Sequence, residues 1–254
     1  MLQRTDCPLC GDLRADDVGT APCDTHPLWR SGLPTQIRWR RCVVCGHVFT
    51  ADYFEPHEFA LLFQDDTEPP GTPDERRYVW APTIRNIATI MAPPARWLDV
   101  GCGDGQALFV AHEWGYDITG VDTRTKSVEN LTARGFTAFD TITNAGSGFD
   151  VVSMFDVIEH IPDPLEILAA VADALVDDGL FIVSCPNMDS EAWRELDATG
   201  RNPYWREIEH LHNFTRSRLQ ALLRDCGFTP ISFDIPRRWV MGMEIVAQRT
   251  RRQT

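Results

Sequence analysis

The stretch Trp97-Leu-Asp-Val-Gly-Cys-Gly-Asp-Gly-Gln106 runs an apolar strand into an acid and then places glycine at every second position. Bare backbone after a strand lets a ligand approach the main chain, and glycine takes the positive φ of such a turn without a Cβ clash. A turn of this kind suits the carboxyl end of a strand in an α/β sheet, where it cradles a nucleotide. Its spacing is Gly101-x-Gly103-x-Gly105, with Gln106 where a dinucleotide fingerprint has its third glycine. That substitution argues against NAD.

Downstream, apolar runs alternate with helical spacing. Strands are predicted at 96–100, 118–121, 136–139, 149–154 and 179–184, with helices at 105–114, 125–134 and 164–176. Helix 215–226 and strands 229–235 and near 240–248 follow. This is the pattern of a parallel α/β sheet. Ile118-Thr-Gly-Val-Asp122 ends in an acid close to the roughly 20-residue offset at which a carboxylate meets ribose hydroxyls. The third strand ends at Asp140, and the fourth runs Gly148-Phe-Asp-Val-Val-Ser-Met-Phe-Asp-Val-Ile-Glu-His-Ile-Pro-Asp163 into a polar turn.

These segments, in this order, resemble the class I S-adenosylmethionine (SAM)-dependent methyltransferases, and within them the small-molecule enzymes related to the ubiquinone-pathway O-methyltransferases. The resemblance covers roughly 94–248 and departs in one place, where Asp177-Asp178 stands for the usual Pro-Gly of a turn. It implies a Rossmann-like seven-stranded sheet with helices on both faces and an antiparallel final strand. It also implies SAM contacts at Asp99, Gly101, Cys102, Gly103, Gly105, Asp122, Thr123, Asp140, Thr141 and Phe155. Asp99 is expected to order the loop and the methionine amino group, Asp140 to face the adenine amino group, and Phe155 to meet the methionyl end through backbone.

A second constellation lies at the N-terminus, where Cys7-Pro-Leu-Cys10-Gly is echoed by Cys42-Val-Val-Cys45-Gly. Two residues between thiolates and a glycine after the second suit a tight knuckle, and two knuckles make a zinc ribbon with a tetrahedral four-cysteine site. A closed set of four thiolates leaves no open coordination position, so the zinc is structural. Disulfides would need an oxidising compartment, and Met1-Leu-Gln-Arg-Thr-Asp6 has no apolar signal-peptide core, which points to the cytoplasm. Cys23 and His26 are expected to be surface or packing residues. Gln36-Ile-Arg-Trp-Arg-Arg41 alternates as a ribbon strand, its arginines suiting either an exposed sheet edge or contact with RNA.

The expected domains are a ribbon over 1–50, a linker and flanking helix over 51–93, and the methyltransferase domain over 94–254. Asp65 to Asp74 is a Pro-rich acidic connection, and Arg76 to Met91 has helical spacing that sends Tyr78 and Trp80 toward the core. Residues 187–215 are too long for a plain connection and are expected to form a substrate cap. They carry Tyr204, Trp205 and Glu209, suited to an apolar or ring-shaped acceptor, and Glu209-His-Leu-His-Asn-Phe-Thr215 resembles the EHxHxFT stretch of the same enzymes.

No run approaches the roughly 18 apolar residues of a membrane span, and a net charge of −13 disfavours a nucleic-acid partner. A methyltransferase acting on a small molecule, with oxygen the favoured acceptor, in secondary metabolism or glycan and lipid assembly, accounts for these features. Methyl transfer to oxygen is helped by a general base, and His210, His212 and His160 are the candidates. Two other readings share the motifs: an RNA- or protein-directed methyltransferase that reads its target through the ribbon, and a SAM-binding scaffold without turnover.

Overall fold

The computed structural model describes residues 2–62, 73–238 and 241–250. The Pro-rich stretch from Asp65 to residue 72 and the predicted start of the last strand at 240 lie outside them. The chain divides into two compact units. One comprises residues 71–158, 166–185 and 220–254, and the other residues 1–70, 159–165 and 186–219. This division cuts across the expected borders, because the predicted cap segment groups with the N-terminal cysteines.

The first of these units holds a seven-stranded sheet. In chain order its strands are β1 (Arg96–Val100), β2 (Asp117–Val121), β3 (Thr137–Phe139), β4 (Phe149–Phe155), β5 (Leu175–Pro186), β6 (Phe228–Asp234) and β7 (Gly242–Arg249). Spatially they run β6-β7-β5-β4-β1-β2-β3. β1 pairs parallel with both β2 and β4, β2 with β3 and β4 with β5, while β6 and β7 are antiparallel. The order reverses between β1 and β4, and a sheet of this kind binds ligands beyond the carboxyl ends of the strands at that reversal.

The central strands are continuous apolar runs because helices cover both faces of such a sheet. Leu98, Val151, Val152, Phe181 and Ile182 are fully buried, each contributing about 1.5–3 kcal/mol of apolar burial. Helices α1 (Pro73–Ala88), α2 (Gln106–Glu113), α3 (Thr125–Ala133), α4 (Pro164–Ala174) and α5 (Arg216–Asp225) lie within a few residues of their predicted bounds. In α1, Ile84 and Ile87 enter the core, one turn apart, and Trp80 packs partly against it. Tyr78 does not. It is 68% exposed, correcting the expectation that it faces the core.

The other unit is built on a four-stranded sheet in the order His212–Asn213, Val48–Thr50, Gln36–Cys42, Ala15–Pro22. Ile37 and Trp39 turn inward as the alternation predicts. The strand is nevertheless an inner one, paired on both sides, and not the exposed edge expected from its arginines. Arg38 meets Asp52 and Arg40 donates to the Ala15 carbonyl. The sheet is completed from the far end of the sequence: His212 pairs with Phe49, and the Thr50 amide donates to the Leu211 carbonyl. Trp39 donates through Nε1 to the Trp205 carbonyl at 2.9 Å, and Cys23, wholly buried, belongs to the same apolar cluster.

Candidate active site

The glycine turn behaves as its spacing demands. Gly101, Gly103 and Gly105 all take positive φ, at 74°, 56° and 81°. Gly105 then serves as the left-handed N-cap of α2. A Cβ on Gly101 would stand 2.4 Å from Val157 Cγ2, and one on Gly105 2.6 Å from Leu131 Cδ2, so neither position has room for a side chain. Cys102 is buried, and burial pushes its thiol well above the ordinary range. Its Sγ would lie 2.8 Å from a Cβ on Gly120, which explains the glycine inside β2.

Acids stand at the carboxyl ends of successive strands. Asp99, the penultimate residue of β1, is 3% exposed and accepts from the Ser153 hydroxyl at 2.6 Å. Ser153 in turn accepts from Trp97 Nε1 at 2.7 Å. Burial raises the Asp99 carboxyl to about 7 against the Ser153 bond. Asp122, immediately after β2, accepts from the Gly103 amide at 2.8 Å, tying the turn to the second strand. It is also clasped by Arg124, whose Nε and Nη2 reach its two oxygens at 2.8 and 2.9 Å. Ribose hydroxyls at Asp122 would therefore exchange with the Arg124 guanidinium, a partner that sequence spacing did not reveal. Beyond β3, Asp140 and Thr141 are exposed; Asn144 donates to Asp140 Oδ1, and Thr141 caps the short helix that follows. Thr123 is exposed beside Asp122. Phe155 ends β4, its ring 4.8 Å from that of Trp80.

This arrangement fits SAM on two grounds. The turn leaves main chain bare where a Cβ would obstruct, and the buried carboxylate of Asp99 sits where a cation would restore its ionised form.

The three candidate bases all fall in the other unit. His212 is 1% exposed, its Nδ1 at 3.0 Å from His47 Nε2 and its Nε2 at 2.8 Å from the Ile161 carbonyl. Both ring nitrogens are engaged and burial drives its pKa to about 3. With both nitrogens engaged, the ring ties strand to loop, and the expectation of a base passes to His160 and His210. His160 and His210 stand differently. Their rings meet edge to face at 4.9 Å, and one nitrogen of each lies with a Glu159 carboxylate oxygen in a cluster no wider than 4.8 Å. His160 Nδ1 faces the Glu209 carbonyl at 2.9 Å. A carbonyl only accepts, so Nδ1 carries the proton and Nε2 the lone pair. His210 is buried, its Nδ1 has no hydrogen-bond partner among the described residues, and burial holds its pKa well below the ordinary value. Tyr204 stacks on Trp193 and His210, Trp205 donates to Asp197, and Glu209 and Glu207 flank His26.

Cys7, Cys10, Cys42 and Cys45 converge within 4.8 Å. Cys7 and Cys45 Sγ are 3.6 Å apart, and Cys10 and Cys42 Sγ 3.5 Å. Tetrahedral ligands at the usual Zn–S distance of about 2.3 Å would stand about 3.8 Å apart, whereas a disulfide needs about 2.05 Å. The two knuckles match: Gly11 and Gly46 take φ 71° and 72°, and each donates back to the carbonyl of the first cysteine of its pair. Cys42, despite burial, is held down to about 7 by the Cys45 and Val44 amides, whereas burial pushes the Cys7 and Cys45 thiols up.

The methyltransferase-domain family profile matches residues 74–232. Among curated relatives, the ubiquinone biosynthesis O-methyltransferase of Cereibacter sphaeroides is 31% identical over 152 residues, 54% of this chain and 61% of the relative. That of Psychrobacter arcticus is 32% identical over 157 residues, 52% and 58%. The chain thus spans about three-fifths of the length of these relatives. Among solved structures, a 1,6-didemethyltoxoflavin-N1-methyltransferase from Burkholderia thailandensis with bound S-adenosylhomocysteine superposes with TM-score 0.56 at 21% identity, over 82% of this chain and 98% of that one. Magnesium protoporphyrin IX methyltransferase from Synechocystis gives 0.54 at 16%, over 76% and 94%. Those structures share the fold of this chain, and the profile spans the glycine turn and the acid-tipped strands. The chain belongs to the methyltransferase-domain family, and its fold is the one those SAM-dependent methyltransferase structures share.

Proposed function

We propose that the protein methylates an oxygen of a small biosynthetic molecule in the cytoplasm. The observation that carries this reading is the glycine turn with its buried acids at the sheet's reversal point, in a chain whose curated relatives are O-methyltransferases. SAM supplies an electrophilic methyl group. Gly101, Cys102, Gly103 and Gly105 present bare backbone to it, with Asp99 and Phe155 at its methionyl end. Asp122 and Thr123 serve its ribose, and Asp140 and Thr141 its adenine. Alignment and exclusion of water then do most of the work of an in-line displacement.

The acceptor hydroxyl needs a proton acceptor, and we assign it to the His160–His210 pair beside Glu159. Neutral imidazole is the competent form, and His210 Nδ1, unlike either nitrogen of His212, has no hydrogen-bond partner among the described residues. Tyr204, Trp205 and Glu209, in the segment 187–215, are assigned to acceptor binding. The four N-terminal cysteines are assigned one structural zinc, which the sulfur spacing supports and which a reducing compartment allows.

Calorimetry with S-adenosylhomocysteine, followed by mass spectrometry of products from a panel of hydroxylated and aminated ring compounds, tests the reading. Micromolar binding with O-methyl products is expected. Exclusive N-methylation would refute the assignment to oxygen, and methylation of RNA alone would refute the small-molecule acceptor.

A further inference from the structure

Arg238 follows β6, outside every motif, yet it is among the most constrained side chains of its unit. Its side chain is 8% exposed. Nε donates to Asp156 Oδ2 at 3.0 Å and Nη1 to Glu244 Oε2 at 3.0 Å. The guanidinium also lies over the rings of Trp80 and Phe155, 4.5 and 4.7 Å from their centroids.

Both carboxylates are themselves held. Asp156, with φ at 56°, accepts from the Ser184 hydroxyl at 3.0 Å, and its amide donates to the same oxygen at 3.1 Å. Glu244, 4% exposed, accepts from Thr83 at 3.3 Å. Such a clamp fixes the guanidinium plane without using all its donors. Nη2 is buried and, among the described residues, has no hydrogen-bond partner. A buried charged donor without a partner costs about 1–3 kcal/mol or more, so a structure that takes such trouble to orient one points to a group that arrives later.

A guanidinium held in this way suits an anionic, planar group close to Phe155. The charge of Arg238 is also felt at Asp99, whose carboxyl it holds down against burial. Asp99 is paired in register with Ser153 of β4, two residues before the Phe155 ring that Arg238 covers, so the acid and the guanidinium stand at the same end of adjacent strands and offer opposite charges to one ligand, which suits a zwitterion. We propose that Arg238 Nη2 receives a ligand carboxylate, that of the methionyl end of SAM, while the acid of β1 serves the ammonium. Arg238 is then a cofactor-binding residue whose geometry is set by Asp156 and Glu244, which act as positioning residues. The proposal rests on the class I assignment for its ligand, but its test needs no turnover.

The full chain is titrated calorimetrically with S-adenosylhomocysteine and with the analogue lacking only the carboxylate. The wild-type protein should bind the analogue about 10- to 100-fold more weakly, as expected for a charge-assisted bond. In Arg238→Gln the homocysteine compound should weaken by the same factor, while the analogue binds as it does to the wild type. Equal binding of the two ligands by the wild-type protein would overturn the proposal, and it requires no variant to fold. Equal losses for both ligands in the variant would also overturn it, making Arg238 a packing residue. If the variant keeps its affinity for S-adenosylhomocysteine but loses that for a carboxylated acceptor, the carboxylate belongs to the acceptor and the assignment to SAM falls. Absence of any binding by the wild-type chain would instead contradict the family assignment.

Discussion

Asp99 should make the ligand-free protein less stable at neutral pH than it would be with a neutral residue there. The carboxyl is 3% exposed and receives one hydrogen bond, from Ser153. Its ordinary value of 3.8 is raised by burial to about 7. Because the folded-state value is the higher one, its contribution to stability is fully present below about pH 4 and is lost as pH rises through about 7. A shift of about three units corresponds to roughly 4 kcal/mol in all, of which roughly 2 kcal/mol falls between about pH 5.5 and 8. Asp99→Asn keeps the shape and the acceptor for Ser153 but never ionises. Urea unfolding of both proteins at pH 5.5 and 8.5, followed by circular dichroism, isolates the effect, since every other titrating group cancels in the difference. The variant should gain stability relative to the wild type as pH rises, and its affinity for S-adenosylhomocysteine at pH 8.5 should fall by about tenfold or more. A stability difference that does not change with pH, or one that moves against the variant on raising it, would refute the reasoning.

Gly101→Ala should lose about 1–3 kcal/mol and most ligand affinity, since its Cβ meets Val157 Cγ2 at 2.4 Å with φ at 74°. Gly200→Ala, at φ 65° with nothing within 4 Å, supplies a purely conformational control in thermal melts. Metal analysis should find about one zinc per chain and none in Cys42→Ser, and hydrogen exchange in that variant should show loss of protection at His212–Asn213 as well as in the N-terminal strands; protection that stays at its wild-type level at 212–213 would mean that the metal does not organise the sheet. His210→Ala should lower turnover about 10²- to 10⁴-fold with ligand affinity unchanged, whereas His212→Ala should act on stability. The buried, depressed His47, His210 and His212 stabilise the fold above the unfolded-state value of 6.5, so stability should fall as pH drops below it. Asp99 acts in the opposite direction over this range, so the melts are made in the Asp99→Asn background, where a melting temperature flat from pH 7 to 5 would contradict this.

The glycine turn and the acids at the carboxyl ends of β1, β2 and β3 were legible because each rests on a local rule: strand, bare backbone, charge at the strand's carboxyl end. The paired CxxCG knuckles were legible for the same reason, their geometry being set within five residues. Local patterns also placed the buried faces of Ile37 and Trp39. They could not place Tyr78, whose helix buries Ile84 and Ile87 and leaves it in solvent, because spacing defines a face but not how far along the helix the core extends. Nor could they separate three histidines of like sequence context. Whether an imidazole acts as a base or a tie depends on what meets its nitrogens, and for His212 these are His47 and Ile161, far from it in the chain. The same holds for the sheet that joins Val48–Thr50 to His212–Asn213 and for Arg238 between Asp156 and Glu244. Hydrogen bonds over such sequence distances leave no periodicity to read, and only the folded chain brings their partners together.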